Sequence, residues 1–402
     1  FANILHSQGM PLSEALVFGI AGGLGIGYIL WEFQEHHTKV LVLGFQNRWN
    51  YPMDYYQHLA DRLGIAISMP DTGSQKTAAQ TLNAALDRGL PVVAWVDRAS
   101  LPSMHMPPTM IAHIGHFVSI CGREGDTYFL DDLAAQPIPI DAATLADARA
   151  IISSYKSRLV VIDKLPAALD LPAAIHAGLQ DQVEYLSSPS ESFSLPAIRK
   201  WAKTMIDAKG KKGWLKVFAD RRGLMSTLIS LYESIELNGA PGGLRGLYAD
   251  FLTEATEVTG NPRLSEPISH YRALSTLWSR LAESALPDAV PLLRDTRGLE
   301  GLIALGRGLA GGGASLAGRA GSVIGGVCVT ASISGVEAGS ALRATFSTSG
   351  FFNSASMSLK VVSLSRPTIW PERRASTSLR RSSSSDWRAM SSKLARNSAA
   401  IL

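Results

Sequence analysis

Two short apolar runs carry the residues best suited to chemistry. Gly115-His116-Phe117-Val118-Ser119-Ile120 opens on a histidine, and Thr127-Tyr128-Phe129-Leu130-Asp131-Asp132 closes on two carboxylates. An Arg-Glu-Gly-Asp turn separates them. Two antiparallel strands joined this way bring His116 close to Asp131 or Asp132. A base oriented by a carboxylate serves nucleophilic catalysis, in which a thiol or hydroxyl is deprotonated as it attacks a carbonyl. The plainer alternative is a core histidine satisfied by a backbone carbonyl. The carboxylates at the facing strand end argue against it.

No nucleophile precedes His116 in a convincing setting. Cys121 lies five residues on in the same strand, and odd spacing puts it on the opposite face of the sheet. It reads as a buried structural thiol. His113 is a weaker base candidate, in the loop before the strand. His36-His37 and His105 lack the cysteine or carboxylate spacing of a metal site, so neither metal nor cofactor is expected.

Gly19, Gly22, Gly23, Gly25 and Gly27 suggest a phosphate loop, but their spacing fits neither the dinucleotide nor the Walker pattern. They read as a tight turn and close helix packing. Gly22, Gly23 and Gly25 are also candidates to line a substrate cleft.

At 402 residues the chain is long enough for two domains. Two cysteines, Cys121 and Cys328, cannot build a disulfide framework, and a reducing, cytoplasmic setting follows. No signal peptide or membrane span is legible. The net charge of +4 hides an uneven split. Residues 1–300 hold 26 Lys+Arg against 31 Asp+Glu, and residues 301–402 hold 12 against 3. A nucleic-acid role would rest on that tail alone, and none is expected.

Periodicity and turn signals predict the elements that position His116. Helices are expected on either side of Ser7-Gln8-Gly9, then over 52–63, 75–88 and 142–153. Strands are expected over 39–44, 65–69, 91–96, 116–121, 127–131 and 158–162. Residues 163–190, with Pro166, Pro172 and Pro189, read as a connection. From Ser194 to about Leu286 apolar residues recur every three or four positions, the mark of an all-helical second domain. The fold class is therefore α+β over residues 1–163 and helical over 191–296. Trp201, Trp214, Tyr232, Tyr248 and Trp278 sit at helical spacing and read mostly as core, with stacking on a substrate the alternative. After about Arg297 the composition collapses to Gly, Ala, Ser and Arg. Residues 297–402 read as a disordered basic tail or as out-of-frame translation.

Pro11-Leu12-Ser13-Glu14-Ala15-Leu16-Val17-Phe18-Gly19-Ile20, running into Gly22 to Tyr28, resembles the start of the butirosin biosynthesis protein H family. The His116 strand and Leu130-Asp131-Asp132 match its second half. Ile198 to Ala202, Trp214 to Phe218, Gly242 to Arg245 and Tyr248 to Leu252 resemble the helical domain that follows it. The resemblance covers roughly residues 1–296. It implies a papain-like fold related to bacteriocin-processing cysteine peptidases. It also implies transfer of an acyl group from an acyl carrier protein thioester, through an enzyme cysteine, to a small amine acceptor. His116 would be the base and Asp132 its orienting partner, with Asp131 the close alternative. The family cysteine would lie a few residues before Phe1, at the N-terminus of the helix to which Phe1-Ala2-Asn3-Ile4-Leu5 belongs. The chain as written lacks it and is expected to be an inactive fragment. A cysteine peptidase or amidase, or a non-catalytic binding remnant, is the alternative.

Overall fold

In this computed structural model, residues 1–310 are described except 34–37, 50, 105, 107, 109–110, 133, 135, 220 and 238. Beyond 310, only the backbone of four short strands is described. Helices α1 (Ala2–Ser7) and α2 (Glu14–Ile20) open the chain. Ser13 caps α2, its hydroxyl accepting from Leu16 N at 3.0 Å. An antiparallel hairpin follows, β1 (Leu24–Phe33) and β2 (Thr38–Gln46). Next come α3 (Pro52–Leu63), β3 (Ala66–Ser68), α4 (Gln75–Leu86) and β4 (Val92–Asp97). Then follow β5 (Gly115–Glu124), β6 (Thr127–Asp131), β7 (Ile138–Asp141), α5 (Ala142–Ala150) and β8 (Leu159–Lys164). The helical part comprises α6 (Leu171–Ser187), α7 (Leu195–Ile206), α8 (Trp214–Val217), α9 (Arg221–Glu236), α10 (Arg245–Thr259), α11 (Ile268–Ala285) and α12 (Pro291–Ala310).

Six strands form one antiparallel sheet in the order β3-β8-β4-β5-β6-β7. All six residues of β4 are buried, which explains its unbroken apolar run. Val93 and Trp95 of β4 pack with Leu5, Ile20 and Leu59 from α1, α2 and α3. Val92, Ala94 and Val96 pack with Val118, Ile120, Leu82 and Leu145, under α4 and α5.

The helical part shares its cores with the N-terminal elements. Ile26, Tyr28, Leu41 and Phe45 of the β1–β2 hairpin pack with Trp201, Trp214, Leu231 and Trp278. Tyr28 stacks on Trp201 at 5.9 Å, and its hydroxyl accepts from Trp214 Nε1 at 3.1 Å. Buried Arg245 lies 4.8 Å from the Phe45 ring and 4.1 Å from that of Trp278. Burial lowers its guanidinium to about 9, so it stays cationic at neutral pH. Tyr248, Phe251 and Leu252 of α10 join the core formed around α2. The aromatics Trp201, Trp214, Tyr248 and Trp278 are thus core residues. Phe1–Gly311 falls in one compact unit.

Three elements depart from the sequence expectations. Residues 171–187, read as connection, form the 17-residue helix α6. Asp170 caps it by accepting from Ala173 N at 3.0 Å. Pro172 sits in the first turn, where an absent N–H costs nothing. The glycine-rich stretch runs into a ten-residue strand, β1. Helix α12 continues to Ala310, past the boundary expected at 297. The second unit, Gly312–Ser382, is described only as the backbone of β9 (Val323–Ile324), β10 (Val327–Ile333), β11 (Arg343–Ser349) and β12 (Ser356–Lys360). These strands are antiparallel in the order β12-β11-β10-β9. The rest of the tail, and the Cys328 side chain, lie outside the described residues.

A buried carboxylate on α6 ties three N-terminal segments together. Asp181 accepts from Arg48 Nη2 at 2.5 Å and Arg62 Nη2 at 2.7 Å, with His58 Nδ1 3.5 Å away. Arg62 also donates to Ile20 O at 2.7 Å, closing the C-terminal end of α2. Burial opposes ionisation of Asp181, but the Arg62 hydrogen bond and the charges of Arg62 and Arg48 outweigh it and hold the carboxyl below its usual range. The contribution of a depressed carboxylate is present above its unfolded value, about pH 4, and is lost as pH falls through the folded one. Asp181→Asn should therefore cost about 3 kcal/mol in urea unfolding at pH 7, leaving two arginines unpaired. The gap from the wild type should narrow below about pH 4; a gap independent of pH would refute the ion-pair account.

Candidate functional site

The β5–β6 hairpin assembles the site. His116 is the second residue of β5, opposite Val96, and Asp132 directly follows β6. His116 Nε2 lies 2.9 Å from Asp132 Oδ1. The carboxylate is 3% exposed and the imidazole 21%, so the carboxylate is buried and the imidazole reaches solvent. Asp132 Oδ2 is buried without a described partner, which leaves the carboxylate committed to the imidazole. With Nε2 engaged, Nδ1 is the nitrogen left to meet a reacting proton.

Adjacent Asp131 points elsewhere. It pairs with Ser119 in the ladder, and its Oδ2 accepts from Asn3 Nδ2 of α1 at 2.8 Å. Helix α1 therefore starts beside the strand end that carries both carboxylates. A relay of rings makes the same connection. Phe1 lies 5.4 Å from Tyr56, Tyr56 5.9 Å from Trp95, and Trp95 4.9 Å from Phe117, the neighbour of His116.

Asp97, fully buried at the end of β4, braces the loop that delivers β5. It accepts from Ser100 Oγ at 2.7 Å and Ile114 N at 3.4 Å, while Arg98 N donates to Ile114 O at 2.7 Å. Beside this loop a cavity of about 360 Å³ is lined by Ser100, Leu101, Met106, Ile111, Thr144 and Asp147, among others. Neither Asn3 nor Asp97 stood out in the sequence. A carboxylate closing the apolar run Val92-Val93-Ala94-Trp95-Val96 was the available signal for Asp97.

The other sequence candidates have surroundings of their own. Gly22 and Gly23 have φ of 116° and 62°, so both need glycine's freedom. A Cβ on Gly22 would sit 2.5 Å from Asn47 Nδ2 and 2.9 Å from Asp181 Oδ2, and one on Gly23 2.7 Å from Gln182 Oε1. One on Gly25 would sit 2.5 Å from Gln46 O. All three glycines are buried against these groups. His113 is exposed in the loop before β5. His36, His37 and His105 lie outside the described residues, and among the described residues no cluster of ligands could hold a metal.

Cys121 corrects an expectation. The sequence predicts a buried side chain, whereas it is exposed, at the bulge between Ile120 and Gly122 where the β5–β6 register shifts. Its thiol donates to Phe129 O at 3.1 Å, and local desolvation and then the Asp131 charge push its pKa up. A raised thiol is a poor nucleophile near neutral pH. In a Cys328→Ser background, iodoacetamide labelling of Cys121 should titrate above the ordinary thiol range of about 8.5. A midpoint below about 7.5 would mark an activated thiol and overturn this assignment.

Residues 1–133 match the family described as butirosin biosynthesis protein H, N-terminal. Residues 143–290 match a domain of unknown function, DUF4872. The first ends just after Asp132, and the second runs from α5 into the loop before α12. No curated protein matched the chain. No described helix is long and apolar enough to cross a membrane.

Proposed function

For this chain, which belongs to the butirosin biosynthesis protein H-like family, we propose acyl transfer from a carrier-protein thioester to an amine on a papain-like scaffold. The observation that carries the reading is the 2.9 Å contact between a half-buried imidazole and a buried carboxylate at the ends of two paired strands. The resemblance puts the nucleophilic cysteine at the N-terminus of the helix that includes α1. The start of α1 beside Asp131, with the ring relay to Phe117, supports that placement. A thiol there would face His116 Nδ1 and gain from the helix N-terminus.

The chemistry runs in two balanced halves. His116 takes the thiol proton and the thiolate adds to the thioester carbonyl. The tetrahedral intermediate collapses by breaking the bond to the carrier sulfur, which leaves with the proton from His116. The amine then adds to the acyl-enzyme, His116 takes its proton, and the enzyme sulfur is expelled as the amide forms. Asp132 holds the ring by Nε2 and stabilises its charged form, while Asp131 positions α1.

The test uses a form of the protein that carries a cysteine a few residues upstream of Phe1. Incubated with an acyl carrier thioester, its cysteine should gain one acyl group by intact-mass measurement, and an added amine should discharge it as the amide. His116→Ala and Asp132→Asn should slow acylation roughly 100-fold or more, and Asp131→Asn less than about tenfold. A protein never acylated sinks the proposal. Release of free acid with no amide would replace transfer with hydrolysis.

A further inference from the structure

The acidic charge of the body conceals a local excess of the opposite sign. Residues 199–216 hold seven Lys+Arg and one acidic residue, Asp207, leaving 19 Lys+Arg against 30 Asp+Glu in the rest of residues 1–300. Leu195, Arg199, Lys203 and Ile206 recur along α7 as one exposed stripe, opposite buried Ala197, Trp201 and Met205. The basic run continues through exposed Lys209, Lys211 and Lys212 to Lys216 on α8. Among the described residues no ion pair involves any of these cations; Lys216 Nζ donates to Lys209 O at 2.8 Å, which ties α8 to the loop. The single carboxylate, Asp207, caps the following turn, its Oδ1 accepting from Lys209 N at 2.9 Å and Gly210 N at 2.7 Å, and it offsets only part of the charge of nearby Lys203 and Lys216. Three aliphatic side chains stand out among the cations, Leu195 at 47%, Ile206 at 58% and Leu215 at 45% exposure.

We propose that this ridge along α7 and α8 is the docking surface for the acidic carrier protein that delivers the thioester. The inference rests on the carrier-thioester reading of the preceding section. Charge complementarity identifies the partner as anionic, and the interleaved aliphatics call for a partner that offers apolar surface of its own. The cations are mainly lysines, point charges suited to steering, whereas the bidentate arginine forks typical of phosphate recognition are few. The ridge is also short, since the twelve residues of α7 span about 18 Å. A membrane or a long nucleic acid would extend past it onto a body of net negative charge. A compact acidic protein would touch the ridge alone.

The experiment compares the protein with its Lys209→Glu/Lys211→Glu/Lys212→Glu variant, all three changes lying on an exposed loop. The probe is a fluorescein-labelled, strongly acidic holo acyl carrier protein, read by anisotropy at 50 and 300 mM NaCl. The wild type should bind at low salt and weaken at least tenfold at high salt, and the variant should lose at least tenfold at low salt. Matching melting temperatures guard against a folding artefact, and Lys→Arg at the same positions should restore binding. Absence of wild-type binding, or equal binding by the variant, overturns the proposal. So does binding to phosphatidylserine vesicles or a 20-mer single-stranded DNA that the variant abolishes while carrier binding is untouched. Carrier binding through the ridge with no acylation would sink the catalytic reading and leave the ridge standing. Acylation at unchanged kcat/KM in the variant would do the reverse.

Discussion

The buried carboxylate of Asp181 is the constraint from which the N-terminal architecture follows. A charge at this depth is tolerable only when its partners are close, and here they come from two separate segments. Arg48 leaves the β1–β2 hairpin and Arg62 belongs to α3, whose second hydrogen bond ends α2. Behind the carboxylate the Gly22-Gly23 turn has no room for side chains. Asn47 adds a bond from its amide to Gly22 O at 3.0 Å. Hairpin, turn, α2, α3 and α6 thus meet at one point. Through α2 and α3 that point also sets where α1 lies over the sheet, and so how the chain's first residues meet the strand that carries His116.

Neighbouring carboxylates at the end of β6 divide two tasks by the alternation of a strand. Asp132 turns to His116, and Asp131 turns to Asn3 on the helix. One residue type thereby holds the imidazole and the helix beside it. The β5 bulge lies at the far side of the same hairpin and leaves Cys121 displayed but held by Phe129 O. Proximity in sequence to a histidine therefore says little about reactivity, because desolvation and a nearby negative charge move that thiol the wrong way.

Where local rules dominate, the sequence was legible. The β5–β6 hairpin, α3, α4 and the buried β4 each carry a periodic signal strong enough to survive tertiary context, and the nearness of His116 to a carboxylate followed from strand pairing. The preference for Asp132 over Asp131 came from the resemblance and agrees with strand alternation, whereas the bond of Asp131 to Asn3, 128 residues away, has no local signal. Helix α6 was hidden by prolines counted as breaks, although Pro172 stands where a helix accepts one. Strand β1 was hidden by Gly25 and Gly27, which lower strand propensity yet make room for the Gln46 backbone and the Trp49 ring. The basic ridge was masked by averaging, since a whole-body sum of charges erases a local reversal of sign.

The shared aromatic core around Tyr28, Phe45 and Trp278 has a consequence for synthesis. The hairpin residues emerge from the ribosome early, but their packing partners on α11 lie more than two hundred residues downstream. At about 5–20 residues per second, translation leaves that apolar hairpin face uncovered for roughly ten to fifty seconds. Through this interval the nascent protein presents a sticky, strand-forming surface with its natural cover not yet made. Its yield in a cell then depends on holdase chaperones and translation speed as much as on the stability of the finished fold.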